Sequence, residues 1–352
     1  MTHPVLHTRV CDLFGVRYPI VQTGMGYVAT PRLAAATARA GGLGILAGST
    51  LGYDELAAAI REMKSSTDAP FGVNIRADQP DAARRVGLLI DEGVRVASFA
   101  LAPGKDLIAR LKDAGVLVTA SIGARRHAEK VAAWGVDALI VQGSEGGGHT
   151  GPVPTSLLLP QVVDTVDVPV IAAGGFFDGR GLVAALAYGA SGVAMGTRFL
   201  LTSDSPVADE VKQVYLSKTV TDTVLTTEVD GVPQRLLLAG AIDGLIGTSP
   251  PRRYARAARN AVAFRQLSGT PWLDMVREGL AMKRGHDLRW RQVFMAANAP
   301  VLYKTALLDG RADIGIMATG QVVGLIDDLP SCKELIDRIM RQAGDVLDRL
   351  SG

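Results

Sequence analysis

Cysteine is nearly absent from this chain: only Cys11 and Cys332 occur among 352 residues. They lie far apart and form no CxxC or Cys/His cluster, which excludes a disulfide framework or a structural zinc site and fits a reducing cytoplasm. Long apolar runs are absent too. No stretch of about eighteen apolar residues exists, so no membrane span is expected. The opening residues, MTHPVLHTRVCDLFG, lack the apolar core of a signal peptide. Charge of one sign is scarce: the formal net charge is +2, too little to argue for nucleic acid. Aromatics make up 5% of residues. There is no Ser/His/Asp arrangement, no Walker loop and no cluster with metal-ligand spacing.

What is present is a well-packed composition, 48% hydrophobic with 40 glycines. The length allows one large domain, or one domain carrying an insertion. Short apolar runs recur at PIVQ (from Pro19), LGILAG (Leu43), FGVNI (Phe71), RVASFAL (Arg95), VLVTAS (Val116), DALIVQG (Asp137), VPVIAAGG (Val168) and GVAMG (Gly192). Their spacing is that of one strand–helix unit. Between them, LAAATARAGG, LIARLKDAG, HAEKVAAWG and LVAALAYGA each read as a helix ended by glycine. Eight short apolar strands alternating with helices predict an α/β fold, a parallel (β/α)8 barrel. A doubly wound sheet is the runner-up. Against it, the first turn reads QTGMGYVAT, without GxGxxG.

The repeat stops after the eighth strand. The barrel is expected over 1–205 and 305–352, with an inserted, mainly helical substrate or lid domain over 206–304. Within the insertion, KTVTDTVLTTEVDG reads as short extended pieces. From Arg252 to Lys304 there are eleven Lys/Arg against three Asp/Glu. That excess fits an anionic ligand or a solvated helical face equally well. The tail LPSCKELIDRIMRQAGDVLDRL predicts an amphipathic helix capped by Ser331. Its apolar stripe is Ile336, Ile339, Met340, Val346 and Leu347, and it is expected to pack on the barrel.

In such barrels the site lies at the carboxyl ends of the strands. There, Gly174-Gly175 and Gly196-Thr197 end strands seven and eight, where glycine amides form a phosphate pocket. Asn74 and Gln142 offer amides to the edge of a heterocycle. Together these suit flavin mononucleotide (FMN), the bland alternative being glycines that merely end strands. The stretch DALIVQGSEGGGHTG places four glycines between Gln142 and His149. An imidazole on such a loop is placed to move a proton, unless it simply bonds the backbone. Glu145 is expected to orient the loop rather than to titrate.

QTGMG, ARAGGLGILAG, PFGVNI, VQGSEGGGHTG, PVIAAGGFFDGRGLVAALAYGASGVAMGTRFL and GQVVGLIDD, in this order, resemble the nitronate monooxygenase (2-nitropropane dioxygenase)-like flavoproteins. The resemblance runs along essentially the whole chain. It implies FMN on a (β/α)8 barrel and makes His149 the proton-transfer residue. Gly24, Met25, Asn74, Gln142, Gly174, Gly175, Gly196 and Thr197 fall on FMN-contacting positions; Gly26, Gly147, Gly148 and Met195 adjoin them in the expected cofactor site. Further strings, among them NIRADQPDAARRVGLLIDEGVRVASFALAP and FLLTSDS, resemble the branch that acts in actinobacterial steroid breakdown on methylhydrindanone (rings C/D) CoA thioesters. Quinone-reducing relatives carry a lysine near the end of strand five, where this chain reads Thr119-Ala120-Ser121.

The resemblance implies a cytoplasmic FMN oxidoreductase acting next to the carbonyl of a cyclic-ketone acyl-CoA. Arg252, Arg253, Arg256 and Arg259 are then expected to meet the CoA phosphates. NADH as electron donor and NAD as acceptor both remain open, as does a homodimer. The alternatives are a nitronate monooxygenase using oxygen, an NADH:quinone reductase and a non-catalytic flavin-binding barrel.

Overall fold

Every apolar run named above becomes a strand. In the computed structural model the strands are β1 (Ile20–Gln22), β2 (Leu43–Ala47), β3 (Phe71–Ile75), β4 (Val96–Phe99), β5 (Leu117–Ile122) and β6 (Ala138–Gln142). After the two-residue β7 (Gly148–His149) come β8 (Val170–Ala173) and β9 (Gly192–Met195). The structure describes residues 3–100, 103–240, 242 and 290–352. All strands but β7 form a closed parallel barrel in the order β1-β2-β3-β4-β5-β6-β8-β9. It closes where Ile20 pairs with Val193, Val21 with Ala194 and Gln22 with Met195. The strands are buried on both faces, which is why they read as unbroken apolar runs rather than alternating ones. The (β/α)8 expectation is met.

The helices between the strands stop where the glycines stand. Gly115 and Gly189 adopt left-handed φ of 75° and 89° just past their helices, a conformation that costs other residues energy. Val10 and Phe14 of the N-terminal helix Arg9–Phe14 are fully buried in one cluster with Val21, Ile45, Val96, Ile140 and Ile171. Burying each of these large side chains contributes about 1.5–3 kcal/mol.

The C-terminal helix Cys332–Ser351 starts at a capping box. Ser331 Oγ accepts from Glu334 N (3.2 Å), and Ser331 N donates to Glu334 Oε2 (2.8 Å). Ile336, Ile339 and Met340 are buried as expected, whereas Val346 and Leu347 are half-buried. This helix lies against the helix Gly179–Ala187. A Cβ at Gly179 would sit 2.4 Å from Ala343 N, so the two helices approach at glycine distance.

The chain divides into two compact units. The barrel unit is 1–146, 150–206 and 326–352; the second unit is 147–149 with 207–325. In the second unit, β10 (Thr223–Thr226) and β11 (Gln234–Leu237) join β7 in an antiparallel sheet, order β10-β11-β7. β10 lies inside the stretch read as extended. Gly148–His149, read as loop, is instead a strand, because β11 supplies a pairing partner: Gln234 opposite His149 and Arg235 opposite Gly148. Val229, Leu236, Ile242 and Ile316 form this unit's own buried core.

Candidate functional site

Barrel register brings the expected cofactor residues to one end. Ala47 pairs with Asn74, Gln142 with Ala173 and Gln22 with Met195, so the turns after β1, β3, β6, β8 and β9 all leave the barrel at its carboxyl rim. Gly24 lies so close to Asn74 that a Cβ there would meet Asn74 Cβ at 2.4 Å. Asn74 is buried and donates from Nδ2 to Ser98 O (3.2 Å). Gly174 and Gly175 are consecutive left-handed residues, φ 99° and 81°, a turn that two side chains would not follow. Met195 ends β9, and Gly196 precedes the buried Thr197.

Among the described residues five buried side-chain atoms lack a hydrogen-bond partner; two of them stand on barrel strands, Gln22 Oε1 at the end of β1 and Thr119 Oγ1 on β5, the others being Thr30 Oγ1, Gln79 Oε1 and Arg198 Nε. Thr119 stands level with Asn74, through Asn74–Ser98 and Ser98–Thr119 pairing. An orphaned buried group costs about 1–3 kcal/mol, so such groups mark places that a polar ligand satisfies. Glycines that admit close approach, buried amides and orphaned acceptors suit the donor-and-acceptor edge of a flavin ring.

The segment after β6 is held firmly within the barrel unit. Glu145 accepts from Thr155 N (2.9 Å) and from Thr155 Oγ1 (2.8 Å), which orients the loop as its sequence suggested. Thr150 Oγ1 donates to Gly143 O (2.8 Å). A Cβ at Gly143 would collide with Thr155, and one at Gly146 with the Gln142 side chain. Gly147, Gly148 and His149 belong to the second unit, where a Cβ at Gly147 would meet the backbone of Thr319 at 2.5 Å.

His149 is half exposed, at 55% of its side chain, and its Nε2 lies 2.7 Å from Asp230 Oδ2. The other carboxylate oxygen of Asp230 accepts from Val232 N (3.0 Å) and Gln234 Nε2 (3.1 Å). Gln234 is buried, and its Oε1 accepts from Tyr303 Oη (2.7 Å). Burial pushes the Asp230 carboxyl up, but the hydrogen bond and charge of His149, with the Val232 and Gln234 donors, outweigh it and hold the group below the usual carboxylate range. Burial, reinforced by the Asp230 charge, pushes the Tyr303 phenol up, so it stays protonated. Sequence reasoning missed Asp230, Gln234 and Tyr303. The one available signal was Asp230-Gly231, a turn dipeptide whose glycine has φ 83°. Arg252, Arg253, Arg256 and Arg259 lie outside the described residues.

The family model for nitronate monooxygenase matches residues 7–342. The chain belongs to the nitronate monooxygenase family. Like the family, it is a flavin-dependent oxidoreductase. It is 61% identical over 341 residues to the (3aS,4S,5R,7aS)-5-hydroxy-7a-methyl-1-oxo-octahydro-1H-indene-4-carboxyl-CoA dehydrogenase of Mycobacterium tuberculosis, covering 96% of each chain. It is 58% identical to the dehydrogenase of the same name from Rhodococcus jostii, covering 98% of each. Among solved structures, FabK from Thermotoga maritima matches with a TM-score of 0.80 at 33% identity, covering 98% of both chains. Among the described residues, no helix is long and apolar enough to cross a membrane.

Proposed function

We propose that this member of the nitronate monooxygenase family dehydrogenates the carbon pair next to the thioester carbonyl of a methyl-oxo-hydrindane carboxyl-CoA, with FMN as cofactor. The observation that carries this reading is the full-length identity of about three residues in five with two dehydrogenases named for such a CoA thioester. Gly24, Asn74, Gln142, Gly174, Gly175 and Gly196 would hold the FMN. When bound, FMN supplies the two-electron acceptor for the hydride leaving the second carbon.

The chain's own share is proton chemistry and alignment. The thioester carbonyl acidifies the carbon that carries it. His149 removes that proton, and Asp230 stabilises the imidazolium that results. Loss of the proton from one carbon and of the hydride from its neighbour leaves a carbon–carbon double bond. The insertion, 206–304, is the substrate domain, and its arginines Arg252, Arg253 and Arg256 meet the CoA phosphates.

Anaerobic rapid mixing, followed at the flavin band near about 450 nm, tests the reading. A hydrindanone acyl-CoA is expected to bleach the flavin fast and its free acid slowly. Bleaching by propyl nitronate alone makes the protein a nitronate monooxygenase, and bleaching by NADH alone makes it a reductase. His149→Ala is expected to retain the flavin and lose turnover by about 10²–10⁴-fold. Unchanged turnover there removes His149 from the chemistry.

A further inference from the structure

We propose that Asp230, held by Gln234 and Tyr303, is a positioning residue that fixes the tautomer of His149, keeping the ring proton on Nε2 and the basic lone pair on Nδ1. This rests on the reading of His149 as the proton-transfer residue.

The direction of every bond in the chain follows from what each group is able to do. A carboxylate only accepts, so Gln234 must turn its amide NH2 toward Asp230 Oδ1 at 3.1 Å. Its Oε1 then faces Tyr303, whose hydroxyl must donate across 2.7 Å. Val232 N also donates to Oδ1, at 3.0 Å. With Oδ1 engaged by two donors, Oδ2 faces His149 Nε2 at 2.7 Å and accepts from it. A neutral imidazole with hydrogen on Nε2 is basic at Nδ1. The four groups come from β7, the turn before β11, β11 itself and the helix Trp290–Leu307. Gln234 sits directly opposite His149 in the β11–β7 ladder, so the sheet that carries the base also carries its orienting partner. Arg235, the neighbouring cation on β11, donates to Thr223 Oγ1 at 2.9 Å.

Asp230→Asn tests the assignment because it keeps the shape and reverses one bond. Oδ1 stays with the Val232 and Gln234 donors, so the new amide NH2 faces Nε2 and donates to it. The ring proton is thereby forced onto Nδ1, which abolishes the base. In Asp230→Asn the expected result is a fall in kcat of about a hundredfold or more, with KM and flavin content within about threefold of wild type. ¹⁵N NMR of the imidazole is expected to show the proton moving from Nε2 to Nδ1. Tyr303→Phe leaves Asp230 in place and is expected to lower kcat by about three- to tenfold without moving the proton. It carries the test if Asp230→Asn loses its flavin. Wild-type kcat in both variants, with an unchanged ¹⁵N pattern and an inactive His149→Ala, overturns the positioning role alone. Full turnover in His149→Ala overturns both this role and the reading beneath it.

Discussion

The barrel and the second unit are built from the same kinds of residue but by opposite rules. In the barrel, apart from the closing pair of β1 and β9, each strand pairs with the strand of the next strand–helix unit. In the second unit, a two-residue strand from 147–149 meets a strand starting at Gln234, and His149 reaches a carboxylate 81 positions on. The first is a repeated local device that brings the strand ends to one rim. The second is a patchwork joined over long sequence separations, which gathers acid–base groups that no single segment contains. A rim of glycines and buried amides suits holding a cofactor, and a hydrogen-bonded relay suits handling a proton.

The sharpest way to break the contrast is to damage each unit separately at a glycine. Gly44→Ala would place a Cβ 2.0 Å from Ala34 O, within the barrel. It is expected to cost about 3 kcal/mol and to lower both flavin content and thermal stability. Gly240→Ala combines a left-handed φ of 59° with a Cβ 2.3 Å from Ala312 O, wholly within the second unit. Its expected cost is about 2 kcal/mol, with turnover reduced and flavin per chain retained. Absorbance of purified protein against turnover separates the two. Flavin loss in Gly240→Ala would end the division of labour.

Acid provides a gentler probe of the barrel. The hydrogen-bonded Arg338 guanidinium holds the Asp328 carboxyl below its usual range against partial burial, and the buried Arg198 adds to the effect. A carboxyl depressed in the folded state contributes stability fully above its ordinary value of about 3.9 and loses it as pH falls through the folded value. Thermal melting of the wild type is expected to weaken across that acid window, and Asp328→Asn to be lower by a few degrees at neutral pH with a flatter acid limb. An equally steep limb in the variant would assign the acid sensitivity elsewhere. The smallest effect belongs to the C-terminal helix. Ser331→Ala removes its capping box and is expected to cost about 1 kcal/mol by denaturant titration, with turnover unchanged.

Much of the barrel was legible in the residues themselves. Parallel strands buried on both faces are largely apolar, and runs such as LGILA and ALIV announce themselves. Gly115, Gly189 and Ser331 mark helix ends through local backbone chemistry that needs no distant partner. Gly24, Asn74, Gln142 and the Gly174-Gly175 pair were visible because the barrel's handedness and direction put every carboxyl end at the same rim. His149 stood out as an imidazole among glycines, but its strand did not: two residues carry no periodicity, and β7 exists only because β11 pairs with it.

The sequence by itself therefore determined the barrel, its helix stops and its rim residues, and it singled out His149 as the candidate base. Those features depend on hydrophobic period and on backbone preferences that act within a few residues. Only the tertiary structure decided that Asp230, Gln234 and Tyr303 stand behind His149. That outcome depends on His149 and Tyr303 reaching the Asp230–Gln234 turn from 81 and 69 positions away, contacts that exist only once folding has brought these groups within hydrogen-bond distance.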